Sequence, residues 1–551
     1  MKLPLKLTSC SFTCITFLIA LYFVVVVNIP VYAAFFDIFS ELEHVKIGFI
    51  ISIPIFFLAA FNFLFNLFSW PWLTKPFFAI LILVSAAVSY ASFNYGILLD
   101  SDMIANIVET DSSEAGSYLS LYSVAWIVGM GVIPALIILF APISKPTSWV
   151  SLIFKKMVSM VASVVVIGLV VLLFYQDYAS VGRNNSYLKQ LIIPTQLLYS
   201  IGKYTNKTYL STPLVYKELG LDAKQTPESL AVAKSKPTLM VFVLGETARA
   251  ENYELNGYPR PTNQYTKSFD MISFQDVSSC GTATAVSVPC MFSSLTRDDF
   301  DRQVADNQDN FLDILQRAEI DLLWIENDGG DKKVAKNIPK INVDRNRVDE
   351  VCDGKTCFDA VMLEDFEHRI DSMSGNRMLF THLIGSHGPT YYKRYPKAMG
   401  QFQPDCQRSD IENCSVEQIV NTYDNTILYT DFIMAQIIER LEKLKDKYNT
   451  ALFYISDHGE SLGENGMFLH GFPYSLAPSE QTRVPMMLWM SEGFEEAKSL
   501  DRNCMQDHAQ TKTYSQDNLF HSMLGIMDVK TQDYEADLDL FKKCRSLTTS
   551  W

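Results

Sequence analysis

Cys280 and Cys290 bracket the stretch CGTATAVSVPC, which carries the hydroxyls of Thr282, Thr284 and Ser287. Such a stretch is either a stapled exported loop or a nucleophile held still. Residues elsewhere bear on the choice. Glu246 follows the apolar run LMVFVLG, and Asp457, His458 and Glu460 follow TALFYIS. Ser386 and His387 follow MLFTHLIG, and His470 lies in FLHGFPY. Carboxylates with imidazoles make a ligand set for zinc, which keeps one coordination position open at catalytic sites. A hydroxyl beside such an ion has a lowered pKa and becomes a nucleophile near neutral pH. Taken singly these residues are ordinary. DHGE suits a turn, and His44, His368, His382, His508 and His521 are expected to have no chemical role. Glu246, Asp457 and His458 together, after two strands, point to a metal site. Spacing alone leaves His387 and His470 open.

The elements that must position these groups are also visible. LMVFVLG (239–245), DLLWIEN (321–327), MLFTHLIG (378–385), TALFYIS (450–456) and VPMMLWM (484–490) read as buried strands. Helical patterns lie between them, most clearly over 415–447. This predicts an α/β domain with a mostly parallel sheet flanked by helices. Ligands in such folds collect at the carboxyl ends of the strands, where the acids and histidines lie.

The first part of the chain differs in kind. Five apolar runs, at 11–34, 47–70, 74–97, 118–141 and 152–175, are each long enough to cross a bilayer as a helix. The first is too long for a signal peptide and lacks a small-residue cleavage site. Lys2, Lys6, Lys75, Lys145, Lys155 and Lys156 fall on one side of these runs and Lys46 on the other, which predicts a cytoplasmic N-terminus and an exported C-terminal half. Residues 1–202 hold nine basic and nine acidic residues, so the net charge of −15 belongs to the remainder. That balance argues against nucleic acid as a partner. The expected domains are a five-helix transmembrane domain (1–176), interfacial helices and a linker (177–236), and a soluble domain (237–551). Eight of the ten cysteines lie in the soluble half, and an exported domain with an even number suggests disulfides. The simplest pairing is Cys280–Cys290, Cys352–Cys357, Cys406–Cys414 and Cys504–Cys544.

The segments GETARAENYELNGYPRPTN, CGTATAVSVPCMFS, GSHGPTYYKRYP and SDHGESLGENGMFLHGFPY, in this order, resemble the membrane phosphoethanolamine transferases that modify lipid A and include the colistin-resistance enzymes. The resemblance covers nearly the whole chain. It implies a soluble domain of the alkaline phosphatase and sulfatase type, with Glu246, Asp457 and His458 as zinc ligands and Thr284 as the nucleophile facing the ion. It implies that His387 and His470 stand near the bound phosphoryl group or a second zinc. Through DMIANIVETDSSEA it implies that Asn106, Thr110 and Glu114 bind the ethanolamine head group or its phosphate. A lysine near the metal falls on Lys332 or Lys333, because WIENDGGDKKVAK lacks the extra cysteines of some relatives. The implied donor is phosphatidylethanolamine and the implied acceptor lipid A. The implied setting is a monomer in a Gram-negative inner membrane, with lowered surface charge and polymyxin binding as the outcome. Two other readings stand beside it: a phosphoglycerol transferase, periplasmic phosphatase or sulfatase of the same fold, and a non-catalytic lipid-binding membrane protein.

Overall fold

The computed structural model describes residues 9–40, 45–210, 212 and 214–546; Lys2, Lys6 and His44 lie outside them. The chain divides into two compact units, one of residues 1–101 and 120–203, the other of 102–119 and 204–551.

Among the described residues of the first unit, four helices are long and apolar enough to cross a membrane: Ile47–Phe68, Thr74–Tyr95, Leu121–Phe140 and Trp149–Gly182. The first apolar run is not one straight helix. It forms two segments, Phe12–Val27 and Ile29–Ser40, bent by 53°. The break falls at Asn28, whose amide donates to the Phe23 and Ile193 carbonyls, next to Pro30, which removes a backbone donor. Lipid gives helices no hydrophobic reason to associate, so polar contacts and close packing hold them together. Asn62 accordingly donates to Ser159 and Ser163, and Phe23 packs edge-on against Phe61 and Phe65 of the helix Ile47–Phe68.

The second unit is built on a seven-stranded sheet. In chain order its strands are β1 (Thr238–Gly245), β2 (Ile272–Phe274), β3 (Asp321–Glu326), β4 (Lys340–Asn342), β5 (Arg377–His382), β6 (Asn449–Ser456) and β7 (Met486–Met490). The spatial order is β2-β7-β6-β1-β5-β3-β4. The sheet is mixed: β1 pairs in parallel with β5 and β6, but β7 runs antiparallel to both of its neighbours. β1 and β6 are buried along their whole length, as strands covered on both faces must be, which is why they read as unbroken apolar runs. β2 and β4 escaped the sequence reading because each has three residues, and those of β4 are all exposed. The 29-residue helix Val416–Leu444 begins at a capping box made by Ser415 and Gln418. Residues 205–236 include a helix, Pro227–Ala233, capped by Thr226. The four expected disulfides are formed.

Register sets up the site. Gly245 of β1 stands opposite Ser456 of β6, so Glu246 and Asp457 leave adjacent parallel strands side by side. Glu326 of β3 stands opposite His382 of β5, and His382 opposite Leu244 of β1.

Candidate active site

Thr284 is the first residue of the helix Thr284–Phe292. Its Oγ1 lies 3.3 and 3.4 Å from the two Glu246 carboxylate oxygens and 3.4 Å from His458 Nε2. The other two hydroxyls of the stretch are already committed. Thr282 donates to the Phe472 carbonyl and Ser287 to the Asp457 carbonyl. Thr284 alone faces the acids. The turn before it is held by the Cys280–Cys290 disulfide. It packs so closely on the first helical turn that a Cβ at Gly281 would stand 2.9 Å from Val286. The helix N-terminus adds unpaired backbone N–H groups, which favour an anion there.

Glu246, Asp457 and His458 are fully buried and can offer ligand atoms within 4.8 Å of one another. The donors fit a divalent cation. Asp457 Oδ1 accepts from the Thr247 and His458 backbones, whereas its buried Oδ2 has no hydrogen-bond partner. His458 Nδ1 meets the Gly459 carbonyl at 2.9 Å, which leaves Nε2 as the ligand atom, the arrangement metal-bound histidines use. Two carboxylates, an imidazole and a hydroxyl suit zinc. Thr247 between them holds a φ of +56°, rare for a residue with a β-branched side chain. Gly385, at φ +47°, lets the chain after β5 pass where a Cβ would sit 2.7 Å from the Glu246 carbonyl.

Burial and Asp457 together push the Glu246 carboxyl above its usual range, and burial does the same to Asp457. Burial and the neighbouring His470 depress His458 to about 3. Around this centre the predicted residues gather. The His458 and His470 rings are 4.5 Å apart and those of His470 and His387 6.1 Å. His470 Nδ1 is 3.3 Å from Glu460, and His387 Nε2 is 3.2 Å from Glu114. Burial opposes a charge on His387, but Glu114 and Asp328 outweigh it and raise its pKa to about 9. Thr110 donates to the Asn106 carbonyl and lies 3.4 Å from Glu114. The two lysines separate. Lys332 Nζ reaches the Gly329 carbonyl in the field of Asp328 and Glu114. Lys333 is exposed and paired with Asp306, away from the centre.

His382 corrects the sequence reading. It is fully buried, with Nδ1 3.0 Å from Glu326 and Nε2 3.8 Å from Glu246. Glu326 in turn accepts from the Trp324 ring N–H. His382 therefore backs a metal-ligand candidate. Asp328, which shares a second potential ligand group with Glu246 and His382, was also missed. The available signal was their place at the carboxyl ends of β3 and β5. His521 does have a structural role, accepting from the Glu535 backbone.

Comparison with known proteins shows the family. A family model described as phosphoethanolamine transferase EptA/EptB matches residues 57–209, and a sulfatase model matches residues 238–529. The phosphoethanolamine transferase EptA of Escherichia coli strain K12 is 41% identical over 499 residues, 90% of each chain. The chain belongs to the phosphoethanolamine transferase family. Another family member, the phosphatidylethanolamine transferase Mcr-1 of Escherichia coli, is 35% identical over 85% of this chain and 89% of its own. The solved integral membrane EptA of Neisseria meningitidis superposes with a TM-score of 0.93 at 34% identity, covering 98% of this chain and all of that one.

Proposed function

We propose that this chain transfers phosphoethanolamine from phosphatidylethanolamine to a phosphate of lipid A, with Thr284 carrying the group as a covalent phosphothreonine. The observation that carries the reading is the Thr284 hydroxyl at a helix N-terminus, 3.3–3.4 Å from Glu246 and His458. Zn²⁺ held by Glu246, Asp457 and His458 would acidify that hydroxyl and offset negative charge on the phosphoryl oxygens. A second ion, where bound, would take His387 or His470 and leave the other as proton donor. Thr284 Oγ attacks the donor phosphorus, and the bond from phosphorus to the diacylglycerol oxygen breaks. His387 or His470 gives that oxygen its proton. Glu114, with Thr110 and Asn106, receives the ethanolamine ammonium, and Lys332 adds positive charge nearby. An oxygen of the acceptor phosphate then attacks the same phosphorus and releases Thr284.

The family and the apolar helices support the following setting. Residues 1–176 cross a Gram-negative inner membrane from a cytoplasmic N-terminus, residues 177–236 connect, and residues 237–551 work in the periplasm as part of a monomer. Adding an amine to a lipid A phosphate lowers surface negative charge and weakens polymyxin binding. Mass spectrometry of lipid A from a host expressing this chain, beside its Thr284→Ala variant, tests the reading. A phosphoethanolamine adduct with the native chain only is expected. An adduct with both would remove Thr284 as the nucleophile, and a different added mass would indicate another transferred group.

A further inference from the structure

His387 lies on the wall of a second-unit cavity of about 510 Å³. Arg394, Lys393 and Arg345 line the same cavity, with Glu114, Asp111 and Asp328. Three of these six charges are paired. Glu114 is paired with His387, and Asp111 meets Arg345 at 2.8 Å. Arg394 is different. It is 4% exposed, and its guanidinium donates to the His387 carbonyl at 2.7 Å and to the Thr356 and Thr390 hydroxyls at 3.2 and 3.3 Å. All three acceptors are neutral. Among the described residues no direct ion pair is formed with it, although the charges of Asp328, Asp359 and Glu114 act on it. A buried guanidinium is costly unless anions lie near it, and its fork suits a phosphate.

A second cavity, of about 600 Å³, adjoins the first and shares Thr356 and Lys393 with it. Phe358, Tyr392 and Tyr395 line it, with Asp353 and Asp405. Aromatic faces beside a few carboxylates suit a polyhydroxylated ring. The order in space is then continuous. His458, beside Thr284, stacks near His470, His470 near His387, and His387 opens on the Arg394 wall.

We infer that these two cavities form the acceptor site, with a phosphate monoester held by Arg394, Lys393 and His387 and its sugar seated among Phe358, Tyr392 and Tyr395. The inference rests on the transferase reading above. In the second half of the reaction an oxygen of this monoester bonds to the phosphorus on Thr284, and the bond from phosphorus to Thr284 Oγ breaks. The proton of the monoester ends on Thr284, and the product carries a diphosphate link.

The purified full-length chain in detergent separates the two halves of the reaction. Diacylglycerol released from phosphatidylethanolamine without acceptor reports the first half. Transfer to a lipid-linked disaccharide bearing one phosphate monoester, at varied concentration, reports the second. Lys393→Gln and Arg394→Lys are expected to raise the acceptor KM roughly tenfold, the scale of one charged hydrogen bond, and Lys393→Gln to do so without slowing the diacylglycerol burst. Lys393 is half-buried on the wall, so its variant keeps the test valid if Arg394→Lys fails to fold. An unchanged acceptor KM in Lys393→Gln overturns the site. A slowed burst in Lys393→Gln also overturns it, because the wall then holds the donor phosphate. A native chain that releases no diacylglycerol overturns the transferase reading itself, and the acceptor site with it.

Discussion

Two clusters of ionisable groups in the second unit are both buried, yet they behave in opposite ways. In the deep one, burial raises the Glu246 and Asp457 carboxyls and depresses His458. In the outer one, burial would raise Glu114, but His387 holds it below its usual range, and Glu114 in turn outweighs the burial of His387. The difference is in the company each group keeps. Glu246 and Asp457 are like charges, and His458 next to them is kept neutral by burial and by His470. Their repulsion would be relieved by a cation from outside. Glu114 and His387 already neutralise each other. Such a pair can exchange partners with a zwitterion, the carboxylate taking an ammonium and the imidazolium a phosphate.

The largest expected effect comes from removing the deep like-charge contact. Asp457→Asn keeps an oxygen to accept from the Thr247 and His458 backbones but loses the anionic ligand. Transfer should fall below detection. Zinc at a hundred times its Kd should stabilise the native chain by about 2.7 kcal/mol, and this gain should be absent in the variant. The chelated variant should also melt above the chelated native chain, since one buried like charge is gone. Thermal unfolding with and without a chelator measures all three stability terms. An equal zinc-induced shift in both chains would place the ion elsewhere.

Much of the deep cluster was legible because its residues follow long apolar runs. β1 and β6 are buried on both faces, so the chain must spell them in unbroken apolar residues, and the residues just after them are forced to the sheet edge. Glu246, Asp457 and His458 fall there. The same logic failed for His382, which sits in the last position of β5 and reads as one polar residue within an apolar run. It failed for the direction of β7, since a buried antiparallel strand is spelled like a parallel one. It could not see the placement of Glu114, because pattern alone does not show residues 102–119 joining the second unit; only the family resemblance pointed there. The bend at Asn28 was likewise hidden, because an apolar run records length and not straightness.

His382 gives the next effect in size. It stands between Glu326 and Glu246 without being one of the three proposed ligands. Partners of this kind orient a ligand, and losing one costs about 10–100-fold in metal affinity. His382→Gln should weaken zinc binding by that factor, read by competition with a chromogenic chelator, while excess zinc restores transfer. Failure of excess zinc to rescue would mean that His382 does more than hold Glu246.

The outer pair predicts a pH signature. The pKa of His387 in the fold, about 9, lies above its ordinary 6.5. Its stabilisation is therefore full below pH 6.5 and is lost as pH rises through 9. Glu114 is lowered, so its share is present above the ordinary carboxylate range and is lost only in acid. The melting temperature of the chelated native chain should thus decline between pH 6.5 and 9, and Glu114→Gln should flatten that decline. The same variant should raise the donor KM roughly tenfold, the loss of one charged hydrogen bond. A slope that survives in Glu114→Gln would show that His387 draws its charge from Asp328 instead.

The smallest effect separates two adjacent lysines. Lys332 is half-buried and feels Asp328 and Glu114, whose negative charge outweighs the cost of burying the ammonium. Lys333 points the other way, to Asp306, which also binds Arg302 at 2.9 Å. An exposed pair of this kind is worth only about 0–1 kcal/mol, and Arg302 still satisfies Asp306 when Lys333 is gone. Lys333→Ala should therefore leave kcat/KM within about twofold and the melting temperature nearly unchanged, because its charge never enters the outer cluster. Lys332→Ala removes a cation from beside Asp328 and Glu114 and should raise the donor KM several-fold. Equal losses in the two variants would mean that charge near this loop acts at long range. Raising the salt concentration would then erase both effects together, since exposed charges more than about 10 Å apart are screened at 0.1 M ionic strength. A salt-resistant loss confined to Lys332→Ala would tie the outer cluster to this one ammonium.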